Sequence, residues 1–168
     1  TPWNKYEPTA ARKHGKPGRD IRPQSVTIDI HSHVAVPAAG AYVAQQNARN
    51  PGLHDFQSAE VAVVNAKQDT DMKTRIVEFE PRLRNLDAMG IDMQVIKPPP
   101  GQCYYTLPAE IAVKAAQMVN DGVAEFCAKK SDRLIPFGTV PLPYGDEAAK
   151  ELERIAKLGF KMSRSTDA

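Results

Sequence analysis

The chain has 168 residues, of which 42% are hydrophobic and 25% are charged, a balance typical of a folded globular protein rather than a disordered segment. Its net charge of +2 is too small to indicate nucleic-acid binding, so no nucleic-acid partner is expected. The sequence contains no apolar run of transmembrane length and no signal-peptide core, which predicts a cytoplasmic protein without membrane contact.

The first third of the chain is predicted to contain one strand and the start of one helix. Residues 1–25 form a polar arm with several prolines, glycines and basic residues, which we expect to be solvated. The β-branched run Val26–Ile30 predicts the first strand, and "PAAGAYVAQQNA" after it can begin a helix. The stretch that follows, through Asp71, is predicted to be irregular, with a turn at Asn50–Gly52.

From about residue 70 onward, helical and extended patterns alternate. A strand followed by a helix, three times over, predicts parallel β/α units. Glycine-rich phosphate-binding motifs are absent from the sequence, so nucleotide binding is not predicted. The predicted elements are a helix over 70–89, a strand over 91–96, a helix over 109–128, a strand over 134–142, a helix over 145–158, and the approach to a fourth strand at 159–160.

Two of the four histidines lie one residue apart in "IDIHSH", at the end of the first strand. Because side chains alternate along a strand, Asp29, His31 and His33 are predicted to share one face. Two imidazoles placed in this way can bind one ion at ~2.0–2.1 Å each, as zinc requires, at the strand end where β/α barrels keep their chemistry. The alternative is a pair of rim histidines satisfied by water or backbone, whereas His14 and His54 are expected to be solvated.

Two further pairs of residues each allow two interpretations. Asn120 and Asp121 lie in the middle of a predicted helix, where either a tertiary hydrogen bond or simple exposure explains them. Tyr104 and Tyr105 lie in "KPPPGQCYY", a predicted loop, because three consecutive prolines cannot join a sheet ladder. These tyrosines either line a pocket for a flat substrate ring or pack against the loop for stability.

Four segments carry a resemblance to a known family: "IDIHSH", "LRNLDAMGIDMQVI", "VNDGVAEFCAKKSDRLIPFGTVPL" and "EAAKELERIAKLGFK". Together they resemble the N-terminal half of the amidohydrolase-related family, in the branch of the aminocarboxymuconate-semialdehyde decarboxylases. The resemblance implies an α/β fold over residues 26–161, the N-terminal portion of a metal-dependent (β/α)8 TIM-type barrel. It also implies that His31 and His33 bind a divalent metal, usually zinc. The implied reaction is hydrolysis or non-oxidative decarboxylation of a small aromatic or muconate-like carboxylic acid.

The resemblance stops near residue 161, and residues 162–168 match nothing in the family. The family completes its metal site with a histidine and an aspartate from later strands, so no catalytic residue is assigned here. We therefore expect a chain that is truncated relative to the family and is not a competent catalyst alone. Its exposed sheet edge is expected to pair with further chain or within a homo-oligomer such as a dimer. The alternative function is a non-catalytic barrel segment that acts as an association module.

Overall fold

The computed structural model describes residues 26–48, 58–160 and 162–164. These contain four strands in one parallel sheet with the order β1-β2-β3-β4, as the alternating pattern predicted. The predicted arm over 1–25, the turn at Asn50–Gly52, His14 and His54 lie outside the described residues. The strands are β1 (Ile28–His33), β2 (Met93–Lys97), β3 (Leu134–Thr139) and β4 (Met162–Arg164).

Within the described ranges five α-helices connect the strands, and the bounds of α4 and α5 agree closely with the sequence pattern. None of the helices in the described ranges is long and apolar enough to cross a membrane. A short 3₁₀ turn, Pro100–Gln102, lies in the proline-rich loop after β2. The helices are α1 (Pro37–Gln45), α2 (Ala59–Arg75), α3 (Glu80–Met89), α4 (Ala109–Ala128) and α5 (Gly145–Lys157).

The prediction of an irregular stretch through Asp71 is wrong, because α2 occupies most of it. The Ser58 hydroxyl accepts a hydrogen bond from the Val61 amide at 3.4 Å and caps the helix. None of the residues of α2 is buried, so no apolar stripe was available to reveal the helix in the sequence. The single helix predicted over 70–89 is two helices, and the second begins with Pro81 in its first turn.

Helix α4 packs along the sheet and supplies much of the core. Its buried side chains recur at helical spacing, with Ala112, Val119, Val123 and Phe126 among them. Gly122 lets the helix approach the segment after β1, because a β-carbon at this position would lie 2.6 Å from Cγ1 of Val36. The close contact therefore fixes the end of β1 against α4.

A bulge in β1 changes which side chains share a face. Asp29 pairs with Gln94 but Ser32 pairs with Ile96, so one extra residue of β1 is inserted between these pairs. Paired residues of neighbouring strands share a face, and His33 pairs with Lys97, three residues after Gln94. Asp29 and His33 therefore lie on opposite faces of the sheet, and the prediction that they share one face is wrong.

The two faces of the sheet have different surroundings. Ile96 and Leu134 belong to the buried core together with residues of α4. The opposite face is only partly covered, and Ile28 on it is 46% exposed. In a closed β/α barrel the helices cover the outer face, and the opposite face lines the interior. The face that carries Ile28, His33 and Lys97 corresponds to that interior.

Candidate metal centre and substrate edge

The His31 and His33 rings lie next to each other at the C-terminal end of β1. Their centroids are 5.2 Å apart, and the ring planes meet at 88°. Two imidazoles that share one ion at ~2.0–2.1 Å per nitrogen have a centroid separation of about 5 Å when the angle at the ion is near tetrahedral. The observed spacing therefore fits two ligands of a common metal.

The orientation of the His33 ring is set by the proline-rich loop. Nδ1 of His33 lies 3.1 Å from the carbonyl oxygen of Pro98. Since a carbonyl oxygen can only accept, Nδ1 carries the proton and the lone pair lies on Nε2. Metal-binding histidines usually hold their second ring nitrogen in this way, which fixes both tautomer and ring direction.

A chain of hydrogen bonds holds the backbone of both histidines. Arg82 of α3 donates from Nη2 to the His33 carbonyl at 2.7 Å and from Nη1 to Oε1 of Gln94 at 2.9 Å. Nε2 of Gln94 donates to Asp29 at 2.7 Å, and the other Asp29 oxygen accepts from the His31 amide at 2.9 Å. Asp29 therefore supports the two candidate ligands through the backbone.

Arg82 and Gln94 were missed by the sequence interpretation. A glutamine among the apolar residues Met93, Val95 and Ile96 was the available signal, because a buried polar side chain needs a partner. Burial lowers the pKa of the Arg82 guanidinium, and the Asp29 carboxylate partly opposes this effect. The guanidinium carbon lies 5.6 Å from the centroid of the Phe126 ring. Within the described part of the chain, Nε of Arg82 is buried and has no hydrogen-bond partner.

Lys97 lies beside His33 at the same edge of the sheet. The register pairs these two residues, and Ile96 pairs with Pro136, so the next neighbour of Lys97 on β3 is Phe137. Nζ of Lys97 is 5.3 Å from the centroid of the Phe137 ring. An imidazole, a cationic group and an aromatic ring thus lie in a row across three strands.

The two tyrosines of the loop after β2 occupy different environments. Tyr104 is 4% exposed, belongs to the core and has a φ of 55°, and burial raises the pKa of its hydroxyl. This position favours packing rather than substrate contact for Tyr104. Tyr105 is half-buried, and its hydroxyl lies 3.4 Å from Oγ1 of Thr139 at the end of β3. Tyr105 therefore lies at the C-terminal end of β3, the same end of the sheet as His33.

Asn120 makes the tertiary hydrogen bonds that its position in α4 suggested. Its amide accepts from the Thr139 amide and donates to the Thr139 carbonyl, each at 2.8 Å, and donates to Glu151 at 2.6 Å. Arg154 donates from Nε and Nη2 to Glu151, and from Nη1 to Asp121 at 2.7 Å. These bonds hold the C-terminal end of β3 in place between α4 and α5.

A cleft lies beside the histidines, between β1 and the facing ends of α2 and α3. Its volume is about 330 Å³, within the range of small-molecule pockets. Its polar lining includes His31, His33, Arg75, Arg82 and Gln94. Gln94 lies on the sheet face opposite Lys97, and neither Lys97 nor Tyr105 lines this cleft.

Within the described residues, His31 and His33 are the two side chains that fit a shared metal ion. Among the described residues, no group of three or more His, Cys, Asp or Glu side chains is placed to hold one ion. Catalytic zinc usually has three protein ligands and one open position. His31 and His33 thus fit the first two ligands of a divalent-metal site, and further ligands have to come from elsewhere.

The parallel sheet with its connecting helices has the fold of the N-terminal portion of a (β/α)8 barrel. One solved structure with this fold is the 5-carboxyvanillate decarboxylase of Novosphingobium aromaticivorans, complexed with manganese and 4-hydroxy-3-methoxy-5-nitrobenzoic acid. It superposes with a TM-score of 0.69 at 24% identity, over 88% of this chain and 43% of that chain. No family model matches this chain.

Curated relatives with similar sequences include decarboxylases of the branch that the sequence resembles. The chain is 32% identical to the gamma-resorcylate decarboxylase of a Rhizobium species over 92 residues, which are 54% of this chain and 28% of that protein. It is 27% identical to the 2-amino-3-carboxymuconate-6-semialdehyde decarboxylase of Caenorhabditis elegans over 125 residues, 71% of this chain and 30% of that protein. The chain thus spans less than a third of the length of these relatives.

Proposed function

We propose that this chain supplies the first part of the active site of a divalent-metal decarboxylase. The substrate class is a small aromatic or muconate-like carboxylic acid. The observation that carries the proposal is the placement of His31 and His33, whose rings are 5.2 Å apart with His33 oriented by the Pro98 carbonyl. The decarboxylase relatives support the reaction class.

In this proposal His31 and His33 bind the ion, and the hydrogen bonds through Arg82, Gln94 and Asp29 keep their backbone in place. When bound, a divalent ion supplies positive charge that polarises a substrate oxygen. Zinc is the metal we propose from the histidine pair, and manganese is the alternative that the carboxyvanillate decarboxylase complex suggests. Tyr105 forms part of the edge against which the substrate ring lies.

Release of carbon dioxide tests the reaction class. The protein is loaded with zinc or with manganese and incubated with 2,6-dihydroxybenzoate and with muconate-type acids. We expect carbon dioxide and the decarboxylated product in equal amounts. Cleavage of esters, lactones or amides without carbon dioxide release would replace the decarboxylase proposal by a hydrolase one.

A second candidate function is a non-catalytic association module. The observation that favours it is the exposure of apolar side chains on β1, where Ile28 is 46% and Ile30 is 67% exposed. β1 is also an edge strand of the sheet, and an exposed edge strand pairs readily with further chain or with a second copy. A concentration-dependent mass in sedimentation experiments, with the metal content of a His31→Ala variant equal to that of the wild type, would favour this candidate.

A further inference from the structure

We infer that Lys97 is the residue that binds the substrate carboxylate. The inference rests on the proposed function, because it concerns the same edge of the sheet. It also assigns a specificity to that site, namely a preference for an anionic ring over a neutral ring of the same shape.

The register places Lys97 where a substrate bound at the histidines would lie. Lys97 is the last residue of β2 and pairs with His33, and both lie on the face that corresponds to the barrel interior. On the other side its ammonium group lies over the Phe137 ring. An aromatic acid whose ring contacts this row can thus present its carboxylate to Lys97 while an oxygen substituent points toward the histidines.

The charge of Lys97 is not neutralised within the described part of the chain. No carboxylate there forms an ion pair with its ammonium group, although the side chain is half-buried. A partly desolvated cation gains from an anionic partner, because ionic hydrogen bonds strengthen as water is excluded. The contact with Phe137 attracts the cation and holds it at the edge.

The neighbouring cation, Arg82, is engaged in other contacts. Its two terminal nitrogens donate to the His33 carbonyl and to Gln94, and Gln94 lies on the opposite face of the sheet from Lys97. Arg75, in contrast, is exposed at the end of α2 and lines the cleft beside the histidines, which Lys97 does not line. Arg75 is therefore the competing candidate that the experiment has to separate from Lys97.

A matched pair of ligands isolates the contribution of the carboxylate to binding. The affinities of 2,6-dihydroxybenzoate and of resorcinol, the same ring without the carboxylate, are measured by calorimetry on the metal-loaded full-length protein. We expect Lys97→Met to weaken binding of the acid about tenfold or more, as the loss of one charge-assisted hydrogen bond does, and to leave resorcinol binding unchanged. Lys97→Arg is expected to restore most of the affinity.

Lys129→Met is the matched control, because Lys129 also lies over aromatic rings, 5.5 Å from Phe79 and 5.6 Å from Phe126, but at the exposed end of α4. It is expected to bind both ligands as the wild type does. Metal content and carbon dioxide release of the wild type test the proposed function separately. The inference is overturned if Lys97→Met binds the acid normally, if it weakens both ligands equally, if only Arg75→Met loses the acid, or if the wild type does not prefer the acid.

Discussion

Arg82 and His33 are joined by a hydrogen bond of 2.7 Å from the Arg82 guanidinium to the His33 carbonyl, which ties α3 to the candidate metal ligand at the end of β1. The same guanidinium reaches Gln94 and, through it, Asp29. The position of His33 thus depends on a side chain 49 residues away in sequence.

Replacing Arg82 by methionine should loosen the metal site. We expect metal affinity to fall about tenfold or more, as it does when groups that orient a ligand are removed. Unfolding free energy should fall by about 3 kcal/mol or more, since two hydrogen bonds to a charged group, each contributing about 1.5–3 kcal/mol, are lost. Chelator competition and denaturant unfolding measure the two effects. Arg84→Met, an exposed residue of the same helix, is the control. Equal metal affinity in both variants would show that Arg82 does not position His33.

Asn120→Ala should destabilise the protein without touching the histidines. The substitution leaves the amide and carbonyl of Thr139 and a buried oxygen of Glu151 without their present partner, and we expect a loss of roughly 2–3 kcal/mol. Denaturant unfolding measures the loss, with the exposed Lys114→Ala on the same helix as control. If the unfolding free energy of Asn120→Ala falls no further than that of the control, the buried hydrogen bonds contribute nothing to stability.

Gly122→Ala should destabilise through a steric contact that a second substitution relieves. The added β-carbon would lie 2.6 Å from Val36, and overpacking of this kind costs about 1–3 kcal/mol. Val36→Ala in the same chain should recover part of the loss, so the two effects are not additive. Gly101→Ala, where a β-carbon meets no atom within 4 Å, is the control. Additive losses in the double variant would argue against this contact as the cause.

The buried Cys127 should make stability fall in alkaline solution. Burial raises the pKa of its thiol to about 12 from the ordinary value of 9.0, and the nearby Arg82 partly opposes the shift. Above pH 9 the unfolded chain loses this proton while the folded chain keeps it, so stability falls by up to about 1.4 kcal/mol per pH unit. Unfolding free energies measured at about pH 8, 9 and 10 should decline less for Cys127→Ala than for the wild type. Equal slopes would contradict the burial effect.

Elements with a strong apolar pattern were predictable from the sequence. Helix α4 has the predicted bounds, because its buried residues recur at helical spacing along Ala109–Ala128. Helix α2 was not predicted, since none of its residues is buried. The bulge between Asp29 and Ser32 was not visible either, because an inserted residue depends on the pairing with β2 and leaves the pattern of β1 unchanged.

The candidate site was predictable to a similar, limited extent. The histidine pair was visible as a local motif, and its two rings do lie together. The residues that hold this pair in place were not visible in the sequence, because Arg82, Gln94 and Pro98 approach β1 only through the packing of distant segments. The position of Lys97 beside His33 likewise follows from strand register, which no local pattern contains.

Metal content is the most direct test of the proposal that His31 and His33 bind a metal ion. The full-length protein is purified in parallel as the wild type and as His31→Ala, His33→Ala and His54→Ala variants, equilibrated with zinc or manganese and analysed for bound metal after desalting. Since His31 and His33 are the proposed ligands, the first two variants should lose most of the metal, whereas wild type and His54→Ala should retain about one ion per chain. Equal metal content in all four proteins would contradict the assignment.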